Sequence, residues 1–225
     1  MDDAAPIAEH FLDLDNWPRR DTFEFFRRFD KPYFNVCTRL DLTALVQRHR
    51  GDPAVPLSLA YHHLALEVAN EVEPFRYRLH GHRVRVHPHV HASMAVLRDD
   101  GSIAFARLPW HAKLADFVAE ARPRVDAVRR ATARFDPLLD DASQMHFTTL
   151  PWLDFTSFSH ARNWGREDSI PKIAFGRLVD EGGRWRMAMS VEVHHALMDG
   201  LHVGQFVQGL ERRLGAANAG PTAAP

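Results

Sequence analysis

The sequence predicts one α+β unit, and three observations predict it. Stretches with apolar residues at helical spacing are interleaved with runs in which apolar and polar residues alternate one by one. Pairs of such runs flank turn signals at His80-Gly81-His82, Asp99-Asp100-Gly101 and Glu181-Gly182-Gly183, as hairpins require. The chain has 225 residues, enough for one real hydrophobic core, with no internal repeat or interior low-complexity linker. Residues 1–215 therefore read as a single domain, and the small, proline-bearing stretch 216–225 as a disordered tail.

The elements follow in order. Residues 21–28 read as a helix with Asp21 as N-cap and Glu24 as its reciprocal partner. Residues 33–40, rich in aromatic and β-branched side chains, read as a strand. Residues 42–48 form a short helix and 56–72 a longer one with a broad apolar face that includes Leu59, Leu66 and Ala69. Residues 76–86 make one hairpin; 92–97 and 103–108 make another. A long helix over 113–134 is interrupted by Pro123, and 147–150 and 155–158 are short extended pieces. Residues 173–180 and 184–194 form the third hairpin. In its second strand Met187, Met189, Val191 and Val193 face one way, and Ala188, Ser190, Glu192 and His194 the other. Beyond Gly200 the period changes, and Val203, Phe206, Val207, Leu210 and Leu214 fall on one helical stripe.

Charge and composition exclude several classes. Lys and Arg number 28 against 29 Asp and Glu, a net charge of −1, which argues against a general nucleic-acid binder. No apolar run approaches the ~18–20 residues that span a bilayer. The start Met1-Asp2-Asp3-Ala4-Ala5-Pro6 is acidic and lacks the apolar stretch of a secretory signal. A single cysteine, Cys37, excludes an internal disulfide and a cysteine-based zinc site, and fits a reducing cytoplasm. The 15 histidines are the unusual count.

The chemistry concentrates at the junction between the last strand and the last helix, His194-His195-Ala196-Leu197-Met198-Asp199-Gly200. Two histidines leave a buried strand, an aspartate follows four residues after the second of them, and a glycine permits a tight turn. An imidazole facing a cleft there is a general base near neutral pH; the bland alternative is a structural pair at a strand end.

His-His-x-x-x-Asp-Gly at the end of a late strand resembles the signature of the chloramphenicol acetyltransferase family, shared in part with the wider CoA-dependent acyltransferase superfamily. Asn16-Trp17-Pro18-Arg19-Arg20, followed by Phe23-Glu24-Phe25-Phe26, is similar to the family's opening, and Leu150-Pro151-Trp152 through Phe158 to its central segment. The resemblance covers residues 11–214. It implies the CoA-dependent acyltransferase fold, a two-layer α/β sandwich with a mixed β-sheet. It also implies a homotrimer with active sites at subunit interfaces. The implied activity is acetyl-CoA-dependent O-acetylation of the chloramphenicol-resistance type, with acetyl-CoA as co-substrate, no bound cofactor and no metal, nucleic acid or membrane. His195 is then the general base, Asp199 a structural aspartate paired with Arg19, and Thr148 the hydroxyl that meets the oxyanion. The acceptor pocket draws on Phe25, Phe26, Phe34, Ile103, Phe158 and His160, and the CoA tunnel on Trp152, Ala174 and Leu178.

Several of these positions depart from the family's pattern. Thr148 replaces a serine, keeping the donor but adding a methyl and a stiffer χ1. Phe26 stands where many members have tyrosine, and Ile103 replaces a phenylalanine. Arg134 and His160 take places that are usually apolar, and Ala174 and Leu178 replace polar or aromatic tunnel residues. The acceptor is therefore open between chloramphenicol, another hydroxyl and an amine, with a catalytically impaired binding relative as a further alternative. His80, His82, His87, His89 and His91 recur at short spacing but match no zinc pattern, and Pro88 interrupts them, so they read as a solvated, partly basic strand face. His63 reads as a hydrogen-bonded core histidine. Arg122, Arg124, Arg129, Arg130 and Arg134 make one helix face basic, either for solvent or for the phosphates of CoA.

Overall fold

The computed structural model describes residues 8–51, 53–131, 142–162 and 168–216. Its elements are β1 (His10–Phe11), α1 (Arg20–Phe26), β2 (Tyr33–Asp41), α2 (Thr43–Gly51), α3 (Leu57–Glu71), β3 (Tyr77–His80), β4 (Arg83–Val86), β5 (His91–Leu97), β6 (Ile103–Leu108), α4 (Leu114–Arg130), β7 (Gln144–Thr149), β8 (Lys172–Glu181), β9 (Arg184–His194) and α5 (Gly200–Ala216). Six strands form the main sheet in the order β2-β9-β8-β7-β5-β6; β1, β4 and β3 form a small second one. The main sheet is mixed: β7 runs parallel to both β5 and β8, and the other pairs are antiparallel. Helices α2 to α5 pack on one another and on the sheet, giving the two-layer α/β sandwich that the resemblance implied.

Side-chain period explains the layering. Met187, Met189, Val191 and Val193 of β9 share one core cluster with Val203, Phe206, Leu210 and Leu214 of α5. Burying each of these side chains contributes about 1.5–3 kcal/mol. The opposite side of β9 is buried as well, and it is polar: Ser190, Glu192 and His194 are 0%, 4% and 4% exposed. Buried charge needs a partner. Arg162 supplies one, its Nε donating to Glu192 Oε1 at 2.7 Å, and the His160 amide donates to Oε2 at 3.2 Å. Beside them Lys172 Nζ donates to Asp168 at 2.8 Å. His160, Arg162 and Asp168, on the described chain between β7 and β8, are thus held over this face by ion pairs and hydrogen bonds. In the β8–β9 turn, Gly182 and Gly183 have φ of 67° and 89°, which side chains disfavour.

Several expectations need correction. Asp21 is not the cap of α1: the helix starts at Arg20 with Arg19 as N-cap, and Asp21 lies in its first turn. Pro123 does not interrupt α4, which runs unbroken from Leu114 to Arg130. Both Pro123 and Ala119, whose carbonyl loses its donor, lie on the exposed side, where water replaces the bond. Residues 155–158 form no strand. The histidine run is not one solvated face: His87 is buried, and His91 accepts the Trp110 N–H at 2.9 Å. β4 ends at Val86, so the two-residue spacing no longer keeps those rings on one side. Ala216, read as tail, closes α5; residues 217–225 and Arg134 lie outside the described residues.

Candidate active site

The β9–α5 junction is pinned through its backbone. His195 N–H donates to Pro32 C=O at 2.7 Å, tying the turn to the start of β2. The amides of Leu197 and Met198 donate to His194 C=O, and that of Ala196 to His194 Nδ1 at 3.2 Å. Asp199 C=O accepts from the His202 and Val203 amides, making Asp199 the N-cap of α5. In return the Asp199 amide donates to His202 Nδ1 at 2.9 Å, a capping box closed by an imidazole. Ala196, Leu197 and Met198 are fully buried beneath the turn. Both His194 and His202 accept at Nδ1, which requires a neutral ring. Burial holds His194 at about 4 and, with help from the Arg19 charge, keeps His202 below its ordinary value.

His195 differs from its neighbour. Phe26 stacks on its ring at 3.8 Å between centroids and 7° between planes, and Phe34 leans on it at 4.6 Å and 50°. Its Nδ1 is buried, 3.4 Å from Asp199 Oδ1 but not aligned for a hydrogen bond. The side chain is nevertheless 31% exposed, so the ring opens to solvent along the edge that carries Nε2. Arg19 completes the frame. Its Nε and Nη2 grip Asp199 bidentately, both at 2.7 Å, and Nη1 and Nη2 also donate to the Ala196 and His195 carbonyls at 3.0 and 3.2 Å. These bonds hold the Asp199 carboxyl below the usual carboxylate range, so it stays ionised and occupied. Phe25 and Phe29 extend the aromatic surface outward from Phe26, each at about 5 Å from it or from each other.

Other residues singled out from the sequence lie elsewhere. Thr148 of β7 faces Ala174 of β8, which faces Ser190 of β9. His194 is four residues beyond Ser190, so two strand spacings and that rise separate its Cα from that of Thr148 by about 16 Å. Ile103 is on the edge strand β6, far across the sheet from β9. Phe158 and His160 meet edge to face at 4.7 Å over Glu192, whereas the rings packed on His195 are those of Phe26 and Phe34. Burial pushes the His160 imidazole below its ordinary value, and neither of its ring nitrogens has a hydrogen-bond partner. Trp152, 61% exposed, stands at a cavity of about 550 Å³ whose walls include Leu59, Met94, Val96 and Thr149. The turn that carries Trp152 rests on β8 because Gly176 has no side chain: a Cβ there would stand 2.8 Å from Leu153 O. Ala174 is fully buried and Leu178 half-buried, and neither lines that cavity. One protomer therefore assembles His195, Asp199, Arg19, Phe25, Phe26 and Phe34, and holds Thr148 and Trp152 apart from them.

A family model described as chloramphenicol acetyltransferase matches residues 8–211. The chain belongs to the chloramphenicol acetyltransferase family. Chloramphenicol acetyltransferase 3 of Escherichia coli is 25% identical over 203 residues, covering 89% of this chain and 94% of the relative. Chloramphenicol acetyltransferase of Streptomyces acrimycini is 29% identical over 206 residues, covering 90% and 93%. A solved chloramphenicol acetyltransferase superposes with a TM-score of 0.82 at 25% identity, covering 92% of this chain and 99% of the other. A probable dihydrolipoamide acetyltransferase from Listeria monocytogenes shares the fold, with a TM-score of 0.68 at 12% identity over 90% and 92%. The protein is thus an acyltransferase of the chloramphenicol acetyltransferase family. Sequence reasoning missed three contributors to its site: the Pro32 carbonyl, the His202 cap and the Arg162–Glu192 pair. Only Glu192 left a signal, as a charge in a strand otherwise fit for burial. Among the described residues no group of three or more His, Cys, Asp or Glu could hold a metal ion, and no helix is long and apolar enough to cross a membrane.

Proposed function

We propose that the protein transfers the acetyl group of acetyl-CoA to a hydroxyl of a chloramphenicol-type acceptor, with His195 as general base. The observation that carries this reading is the state of the His195 ring: stacked on Phe26, touched by Phe34, backed by the Asp199 carboxylate, and open at its Nε2 edge. Nε2 takes the acceptor's proton as its oxygen attacks the thioester carbonyl. The C–O bond forms, the carbonyl becomes an oxyanion, and the Thr148 hydroxyl donates to it. Collapse restores the carbonyl and breaks the C–S bond. The thiolate of CoA leaves with the proton from the imidazolium, giving an acetyl ester and free thiol. Asp199, held by Arg19, favours the transient imidazolium without accepting its proton.

The distance of about 16 Å along the sheet is too long for one thioester to meet His195 and Thr148 of the same chain. This supports a homotrimer in which the Thr148 side of one protomer faces the His195 side of the next. The exposed Phe25 and Leu201, 59% and 69% accessible, suit such a seam. The single, exposed Cys37 suits action in the reducing cytoplasm.

The test is thiol release from acetyl-CoA with chloramphenicol, beside a panel of other alcohols and amines. His195→Ala is expected to lower turnover by about 10²–10⁴ while circular dichroism stays unchanged. Undiminished turnover in that variant refutes the base. Light scattering that gives a monomer with full activity refutes the shared site.

A further inference from the structure

The arginines of α4 are sorted by the fold. Arg124 turns to Glu120, at 2.5 Å. Arg122 and Arg129, two turns apart on one helix face, instead line the cavity at Trp152. Arg122 has no ion pair or hydrogen bond among the described residues, and Arg129 has a single exposed contact, to Asp126 at 3.4 Å. Across the cavity lie Pro56, Ser58 and Leu59, the first turn of α3. That helix has 15 residues, no side-chain cap and no acidic residue in its first turn, so its positive end is uncompensated there. Further in, the walls are apolar, with Leu59, Met94, Val96 and Val125. His62, fully buried, also lines the cavity. Its Nδ1 donates to Ser58 C=O at 2.6 Å, which leaves Nε2 an acceptor, and that atom has no partner. The cavity therefore runs from a cationic mouth through an apolar throat to a lone buried acceptor.

We propose that Arg122 and Arg129 bind the phosphate groups of CoA, holding the co-substrate while its thioester arm extends down the cavity toward the end of β7. The proposal rests on the acetyl-CoA reading above and assigns it two specificity-determining residues. Trp152 supplies a flat, exposed ring at the same mouth. Asp126 lies between the two guanidiniums in sequence and on the same lining, and opposes the anion.

The experiment compares acetyl-CoA with S-acetylpantetheine, the same thioester arm without the nucleotide and its phosphates. Arg122→Ala combined with Arg129→Ala is expected to raise KM for acetyl-CoA about tenfold, with kcat held. kcat/KM for S-acetylpantetheine stays unchanged, and the rise of KM with salt expected of the unmodified protein is flattened. Asp126→Asn lowers KM for acetyl-CoA, and Arg124→Ala leaves it alone. Equal losses with both thioesters, or an unchanged KM in the double variant, overturn the assignment. Calorimetry with CoA and with pantetheine gives the same comparison without any acceptor. If the unmodified protein binds CoA no better than pantetheine, the phosphate site is refuted. If it binds CoA through these arginines but releases no thiol with any acceptor, the transfer reading fails and the phosphate site stands.

Discussion

The two ends of the main sheet are built on opposite plans. At the β9–α5 junction, amides from 195 to 199 are hydrogen-bonded, three consecutive side chains are fully buried, and one arginine makes four contacts. At the end of β7, Thr148 and Thr149 are only half-buried, Trp152 is exposed, and a cavity of about 550 Å³ opens beside them. The contrast fits what the proposed acyl transfer asks of each end. A general base works only in one orientation, so if His195 is that base, as proposed, rigidity around it contributes directly to rate. On the same proposal the other end admits and releases a long flexible thioester, which dense packing there would exclude.

The largest effect that sharpens this contrast is at Thr148. If its hydroxyl meets the oxyanion, Thr148→Ala lowers kcat by about 10²-fold, with little change in KM or in thermal stability. Thr148→Ser keeps the donor and stays within about threefold of the original. Steady-state kinetics on both variants decide the point: similar rates for alanine and serine would leave the β7 end with no part in the chemistry.

The junction predicts the reverse signature. Arg19→Ala removes the Asp199 partner and leaves the Ala196 and His195 carbonyls without their donor, at a cost of about 2–3 kcal/mol in stability. The cost falls short of that for a fully buried pair, because the Asp199 side chain is 36% exposed. Urea unfolding measures it. A loss below about 0.5 kcal/mol would mean that the frame around His195 stands without the arginine.

Legibility in the sequence divides along the same line. The period-2 run of β9 and the change of period at Gly200 placed the junction correctly, because there local pattern and burial agree. Asp21 misled because its propensity to cap is generic, whereas α1 starts where Arg19 is anchored by a carboxylate 180 residues away. The chain from 155 to 162 shows no period since its place is fixed by Arg162 and Glu192, a contact spanning 30 residues. Stacking of Phe26 on His195 left no trace beyond an aromatic-rich segment. The basic face of α4 was visible as composition; only the fold separates the arginines that line the cavity from those that do not.

Acid stability probes the polar layer under both ends. Burial holds His62, His146 and His194 at about 4, below the ordinary 6.5. As pH falls, the unfolded chain takes up these protons before the folded one, so stability is full above about pH 6.5 and declines toward pH 4. Asp41, lowered to about 2 mainly by its bond from Thr43, adds a loss only below pH 4. Thermal melts are expected to be level from pH 8 to 7 and to drop by about 5 °C or more by pH 5. A level profile down to pH 5 would mean that these rings are reached by water.

The smallest effect is at Trp152, and it separates packing from binding. A side chain 61% exposed contributes little to the core, so Trp152→Ala should change Tm by no more than about 2 °C. If its ring lies against the co-substrate, the same substitution raises KM for acetyl-CoA by about three- to tenfold, while kcat at saturation is kept. Trp152→Phe retains a flat apolar face and should recover most of the loss. A fall in kcat with unchanged KM would move Trp152 from the mouth of the cavity to the reacting end, and would make the two ends of the sheet less distinct than their packing implies.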